Sequence, residues 1–316
     1  ESKGNVRPWF TRPVVNGNGL STDPPLSAAT ATQLSKQTQV WQNCAAAADG
    51  PPKNAAIRNG TSRLIKKASH SVTNQRIQEL VGPMLTRPLR VLDVGCGSGY
   101  FLGSLAETYR ARGWPIDGNL LGIDIDLSTY SAADVPARVV DINETLPIAD
   151  ASYDLILAIE VFEHSRAPYL LMQEVARTLA PGGTLIFSVP NVAHAVSRLS
   201  YLFIGHYYMY PTPSAVPSNA GRLMGHIEPL PPQYWHYGLR YAGFTDIGFS
   251  IDRRKKGAMF AAALLAPFTA IGAALYGHRI RKYDAALAQE VREILPEVNS
   301  FDVLTARSLI FSARKP

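Results

Sequence analysis

Val91-Leu92-Asp93-Val94-Gly95-Cys96-Gly97-Ser98-Gly99-Tyr100 decides how this chain is read. Three apolar residues and one acid run into a turn with glycine at every second position, and an amphipathic stretch follows from Phe101 to Arg112. That order predicts a buried strand, a tight turn and the start of a helix. Glycine tolerates positive φ and lets a ligand approach the backbone. The helix behind the turn offers unpaired N–H groups and the positive end of its dipole.

Strand and helix signals alternate on the carboxyl side of this turn. Strands are expected at Arg90–Val94, Leu120–Ile125, Ala137–Asp141, Tyr153–Ile159, Thr184–Val189, Phe244–Ile251 and Ser308–Ala313. A helix is expected at Pro168–Leu179, ended by Pro181-Gly182-Gly183. Upstream, Ile77, Leu80, Val81, Met84 and Leu85 form one apolar helical stripe within Ser62–Leu85. The continuous apolar runs suit strands buried on both faces. These signals make the class α/β: a parallel sheet of seven expected strands, covered by helices on both faces. Ligands of such sheets bind at the carboxyl ends of the strands.

Acids stand at those ends. Asp124 closes the second strand, where a carboxylate can accept both ribose hydroxyls of a nucleoside. Asp141-Ile142 follows the third strand and combines one acceptor with an apolar wall, which suits adenine. Glu160-Val161-Phe162-Glu163-His164 closes the fourth. The dinucleotide fingerprint G-x-G-x-x-G fails, because Tyr100 stands where its third glycine belongs.

The glycine turn after Asp93, the acids in order, Ala180-Pro181-Gly182-Gly183-Thr184 and Ser188-Val189-Pro190-Asn191 together resemble the class I S-adenosylmethionine-dependent methyltransferases over about residues 77–191. The resemblance implies a Rossmann-like, doubly wound, seven-stranded sheet, mostly parallel with the last strand antiparallel, with S-adenosyl-L-methionine as cofactor and S-adenosyl-L-homocysteine as product. It implies that Asp93 faces the methionine amino group and that the turn at Gly95, Cys96, Gly97 and Gly99 borders the methionine moiety. Asp124, with Ile125 beside it, would hold the ribose. Asp141 and Ile142 would meet the adenine, and Glu160 would line the pocket near the sulfonium. A hydroxyl acceptor benefits from a general base; the candidates are His226, His194 and His164, with Glu163 behind them.

Val189–His194, Arg198-Leu199 and Leu202–Gly205 further resemble a subgroup found with bacterial cell-surface saccharide and O-antigen biosynthesis. That implies a saccharide, a lipid-linked saccharide or another small hydroxyl-bearing metabolite as acceptor, with residues 192–240 as the substrate cap. The aromatic faces of Tyr207, Tyr208, Tyr210 and Trp235 suit sugar rings or an acyl chain and suit ordinary packing equally.

The rest of the chain bounds the partners. Its 316 residues suffice for one large domain, 61–316, with an extension over 1–60 whose Pro-, Gly- and Ser-rich composition reads as partly disordered, with a helix around Ala28–Ala48. Cys44 and Cys96 form neither a disulfide framework nor a zinc pattern, so a reducing compartment and no metal centre are expected. The net charge of +6 is concentrated in Arg253–Lys256 and His278–Lys282, which argues against nucleic acid. Between those runs Ala258–Tyr276 carries no charge, within an apolar and helical insertion over 257–300. Pro267 is expected to bend it into a helical pair that dips into one leaflet of an anionic membrane, on the cytoplasmic side; a buried core helix or a homodimer interface is the alternative. The rival to an enzyme is a cofactor-binding regulatory protein docked on the membrane.

Overall fold

The structure, a computed structural model, describes residues 71–210 and 225–316. The expectations for the extension over 1–60 and for the start of the helix at Ser62 lie outside the described residues.

Helix α1 spans Ser71–Val81 and ends in a short 3-10 turn at Gly82–Met84. Strand β1 (Val91–Val94) is wholly buried and leads through the glycine turn into α2 (Tyr100–Ala111). Then follow β2 (Leu120–Asp124), β3 (Ala137–Val139), β4 (Tyr153–Ile159), α3 (Pro168–Thr178) and β5 (Leu179–Pro190). Helix α4 (Ala195–Ile204), α5 (Pro232–Tyr241), β6 (Thr245–Ile251), α6 (Lys256–Arg281), α7 (Ala285–Val298), α8 (Phe301–Thr305) and β7 (Ser308–Arg314) complete the order. The seven strands lie in the order β3-β2-β1-β4-β5-β7-β6, with β7 antiparallel to both neighbours. The expected class is observed.

Alternate residues of one strand serve opposite faces, as a doubly covered sheet requires. On β4, Ile156 and Ala158 join the cluster with Phe162, Phe187, Trp235 and Phe311, whereas Leu155 and Leu157 join Ile77, Leu102 and Tyr109. Tyr109 is fully buried, and its hydroxyl donates to the Leu89 carbonyl at 2.6 Å. This hydroxyl fixes the residues just before β1, and so the height at which β1 delivers the glycine turn.

Two expectations are corrected. The stretch Pro181-Gly182-Gly183 does not lie between helix and strand: α3 ends at Thr178 and the stretch is already in β5. Its backbone pairs with the end of the chain, Gly182 N–H to the Lys315 carbonyl at 2.9 Å and Lys315 N–H to the Gly183 carbonyl at 2.9 Å. Nor does Pro267 break its segment. Lys256–Arg281 is one helix, about 39 Å long at 1.5 Å per residue. Proline removes only its own N–H bond and crowds the carbonyl four residues back. That position is Ala263, and the surrounding residues are strong helix formers. Helix α7 packs against α6 after a short turn, leaving an apolar groove of about 660 Å³ lined by Ala262, Ala266, Ala270, Ala274 and Leu295.

Candidate active site

The turn after β1 is held from below by the neighbouring strand: Gly95 and Cys96 N–H donate to the Ile123 carbonyl at 2.8 and 3.1 Å. Gly95 sits at φ +70°, and a Cβ there would lie 2.4 Å from a methyl of Val161. Glycine is thus demanded twice, by conformation and by the close approach of the segment leaving β4. Gly99, at φ +76°, opens α2 without a side-chain cap. Cys96 is buried, its sulfur packed over Gly122 of β2. A small side chain is what that position accepts. The cleft above the turn is lined by Asn74 of α1, Asp93, Gly97, Ser98, Tyr100 and Ile159. Asn74 was not singled out in the sequence. The signal was only that its helix precedes β1.

Asp93 is 3% exposed. Burial, and after it the charge of Asp124, push its carboxyl up to about 8. A buried acid whose charged neighbour is another acid is stabilised as a carboxylate by a cation, and the ammonium group of an amino-acid moiety is such a ligand. This gives a signed pH dependence. At pH 6 to 7 the empty site holds a proton on Asp93 that a bound ammonium displaces, so affinity for S-adenosyl-L-methionine should rise roughly tenfold between pH 6 and 7 and level off near the Asp93 value, where the ligand's own α-amino group begins to lose its charge. Calorimetry in buffers of different ionisation enthalpy should register proton release at pH 7. A flat affinity with no release would remove Asp93 from the ammonium site.

Asp124 ends β2 half-buried and holds the turn from its other side. One carboxylate oxygen accepts Gly97 N–H at 2.7 Å and the other accepts Asp126 N–H at 3.1 Å. Each oxygen keeps a further lone pair for a diol. Ile125 beside it is 61% exposed. Asp141 accepts from the backbone and side chain of Asn143 at 2.9 and 2.8 Å, and Ile142 packs against the core. Glu160 departs from its expected place. Its φ is +56°, its N–H points to Ser188, and its carboxylate accepts from the Ser188 hydroxyl at 3.1 Å. The cleft wall at this level is Ile159, with Glu160 turned toward β5. A non-glycine residue held at positive φ is over-determined by its surroundings; here the Ser188 contacts do the holding.

The three histidines separate. His194 is buried and caps α4: its Nδ1 accepts Ser197 N–H at 3.1 Å. Burial first, then the charges of Lys255 and Arg198, lower it to about 4. With its unprotonated nitrogen spent on the helix, His194 is a structural residue, which corrects its place among the base candidates. His164 and His226 meet across the segment, ring centroids 4.8 Å apart. The Nδ1 of His226 stands 2.8 Å from the Met209 carbonyl, so it is the protonated nitrogen and Nε2 carries the lone pair. Beneath them Glu163 is fully buried, and neither of its carboxylate oxygens has a hydrogen-bond partner among the described residues. Its backbone carbonyl accepts Ile227 and Glu228 N–H at 3.0 and 3.2 Å, which brings the His226 segment to the end of β4. Tyr210 is buried beside His226, centroids 5.3 Å apart, its hydroxyl likewise unpartnered among the described residues. Burial and the adjacent acids Glu163, Glu160 and Glu228 push that phenol up.

The other motif residues of the cap are scaffold. Asn191 donates to the Val303 and Ala306 carbonyls at 2.7 and 3.1 Å. The Arg198 guanidinium bonds Ala193, Asn299 and Val298.

A seven-stranded sheet in this order, a glycine turn after Asp93 and an acid ending β2 define a class I S-adenosylmethionine-dependent methyltransferase. Residues 65–248 match the family described as "Methyltransferase domain". The chain belongs to that family. The malonyl-[acyl-carrier protein] O-methyltransferase 1 of Coxiella burnetii is 32% identical over 136 residues, which is 43% of this chain and 46% of that protein. The ubiquinone biosynthesis O-methyltransferase of Methylococcus capsulatus is 25% identical over 187 residues, 58% of this chain and 77% of that one. This chain thus spans under half the length of the first relative. The crystal structure of a SAM-dependent methyltransferase from Archaeoglobus fulgidus aligns over 78% of this chain and 95% of that one, with a TM-score of 0.48 at 15% identity.

Proposed function

We propose that this protein O-methylates a hydroxyl-bearing acceptor, a saccharide or lipid-linked saccharide, on the cytoplasmic face of an anionic membrane. The observation that carries the reading is the cluster Glu163, His164, His226 and Tyr210, set beyond Val161, whose methyl touches Gly95 of the cofactor turn. When bound, the cofactor supplies an electrophilic methyl on sulfur. The side chains of Asp93, Asp124 and Asp141 hold and orient it. The cluster then receives the acceptor and is where its hydroxyl proton is lost as the O–C bond forms and the S–C bond breaks. Both relatives named above are O-methyltransferases, which favours oxygen as acceptor atom. Aromatic pairs stack in and beside α4 and α5: Tyr201 on Tyr207 at 4.4 Å, and Tyr237 on Tyr241 at 5.9 Å. Flat apolar rings with polar tips suit a sugar face.

The test is methyl transfer to a panel of saccharides, lipid-linked saccharides and small phenols, for the native chain and His226→Asn. Turnover should fall by about 100-fold or more in the variant, the scale of losing a group on which deprotonation of the acceptor depends. Cofactor affinity should stay unchanged. Undiminished turnover in His226→Asn would remove the cluster from the chemistry, and turnover on phenols alone would remove the saccharide.

A further inference from the structure

The structure assigns a divalent-metal site to Glu163, His164 and His226. One donor atom from each lies within 4.8 Å of the other two. No spacing pattern announces the site, because His226 arrives only through the backbone bonds from Ile227 and Glu228 to the Glu163 carbonyl.

Several independent features point to a cation. The Glu163 carboxylate is fully buried, faces the two imidazoles and, among the described residues, has no hydrogen-bond partner for either oxygen. A buried carboxylate in that state is expensive unless a cation or a proton completes it. His226 is held as metal-ligating imidazoles are. Its Nδ1–H is spent on a backbone carbonyl, which fixes the tautomer and points the Nε2 lone pair away from that bond. The carbonyl belongs to Met209, which adopts φ +71°. Among the described residues, the acids Glu160 and Glu228 and the cation Arg307 stand around the cluster.

Two imidazoles and one carboxylate with open positions suit a borderline first-row ion such as Zn²⁺, Mn²⁺ or Fe²⁺, and suit Mg²⁺ poorly. Donors at about 2.0–2.2 Å from zinc stand closer to one another than the span seen here, so the side chains draw inward by small rotations on binding. For its purpose this inference rests on the O-methyltransferase reading. An acceptor hydroxyl on the open face of the ion would lose its proton to bulk water more readily. Its oxygen would then take the methyl group, and the bond to sulfur would break to leave the neutral thioether.

The experiment uses the full chain, stripped of metal by a chelator, titrated with Zn²⁺ alone by calorimetry and with Co²⁺ alone by visible absorption. One ion per chain is expected, with imidazole-type Co²⁺ bands. Affinity should drop by roughly 10–100-fold or more in Glu163→Gln, His164→Asn and His226→Asn, since disturbing even an outer-sphere partner costs that much. Glu163→Gln keeps the buried shape, and retained cofactor binding shows that each variant is folded. No binding by the native chain, or binding unchanged in all three variants, overturns the site. The titration contains neither cofactor nor acceptor, so it fails only if the site fails. Zinc bound at the site in a protein that methylates no hydroxyl would overturn the functional reading instead.

Discussion

Replacing Asp124 with alanine should weaken S-adenosyl-L-methionine binding by about 100- to 1000-fold. The side chain has two duties. Toward the ligand, its remaining lone pairs are the acceptors available to a ribose diol at the end of β2. Toward the protein, it holds Gly97 N–H at 2.7 Å and so fixes the crest of the turn. Charge-assisted hydrogen bonds contribute roughly 1.5–3 kcal/mol each, and losing two of them at the lower end, about 3–4 kcal/mol, corresponds to that range of affinity. Asp124→Asn separates the duties. An amide oxygen still accepts Gly97 N–H, so the turn keeps its shape, but the negative charge beside Asp93 is gone. That charge is one of the two causes holding the Asp93 carboxyl near 8. The pH at which cofactor affinity levels off should therefore move down in Asp124→Asn. Calorimetry across pH 5.5 to 8.5 on both variants checks this. Unchanged affinity in Asp124→Ala, or an unmoved pH profile in Asp124→Asn, would detach Asp124 from the site.

The parts of this site that the sequence discloses are those set by local rules. Gly95 and Gly99 need positive φ, and Asp93 and Asp124 sit at fixed distances from strand ends, so each can be read within ten residues of itself. What depends on distant chain is not legible in that way. The role of His194 was settled by where α4 starts: a histidine just before a helix can cap it, and nothing in the residues themselves says which nitrogen will be occupied. Glu160 reads like a pocket acid until Ser188, across the sheet on β5, takes its carboxylate. Glu163 and His226 become neighbours only through backbone bonds between segments far apart in the chain. The sheet followed from continuous apolar runs, while the continuity of α6 through Pro267 did not, because the helix-breaking rule is local and the helix-forming surroundings outweighed it.

Vesicles of anionic lipid should carry this protein down on sedimentation, and Leu264→Glu with Phe268→Glu should leave it in the supernatant. Helix α6 is the one helix, among the described residues, long and apolar enough to cross a membrane, yet only 17% of its apolar window is buried. Its two sides differ. Ala262, Ala266, Ala270 and Ala274 face the groove toward α7. Phe260, Leu264, Phe268, Ile271 and Leu275 recur at helical spacing and are each between 59 and 72% exposed. Helix α4, which packs on α6 through Val196 and Leu199, exposes Leu202, Phe203 and Ile204 as well. A crossing is incompatible with the topology, because β7 follows α6 in sequence and lies between β5 and β6 in the sheet. A helix lying in the plane of the headgroups satisfies both facts. Charge complements it: Arg253 and Lys256 flank one end and Arg279, Arg281 and Lys282 the other. Arg254 and Lys255 are already engaged, by Asp302 at 2.6 Å and by the ring of Tyr208 at 3.7 Å. Each free cation near an anionic surface contributes about 1 kcal/mol, screened by salt. Binding should accordingly weaken on neutral vesicles and at high salt, whereas the paired glutamates should abolish it at any salt by charging the stripe itself. If the native chain ignores anionic vesicles and sediments as a dimer that the same glutamates dissociate, the stripe is a subunit interface and the membrane location is wrong.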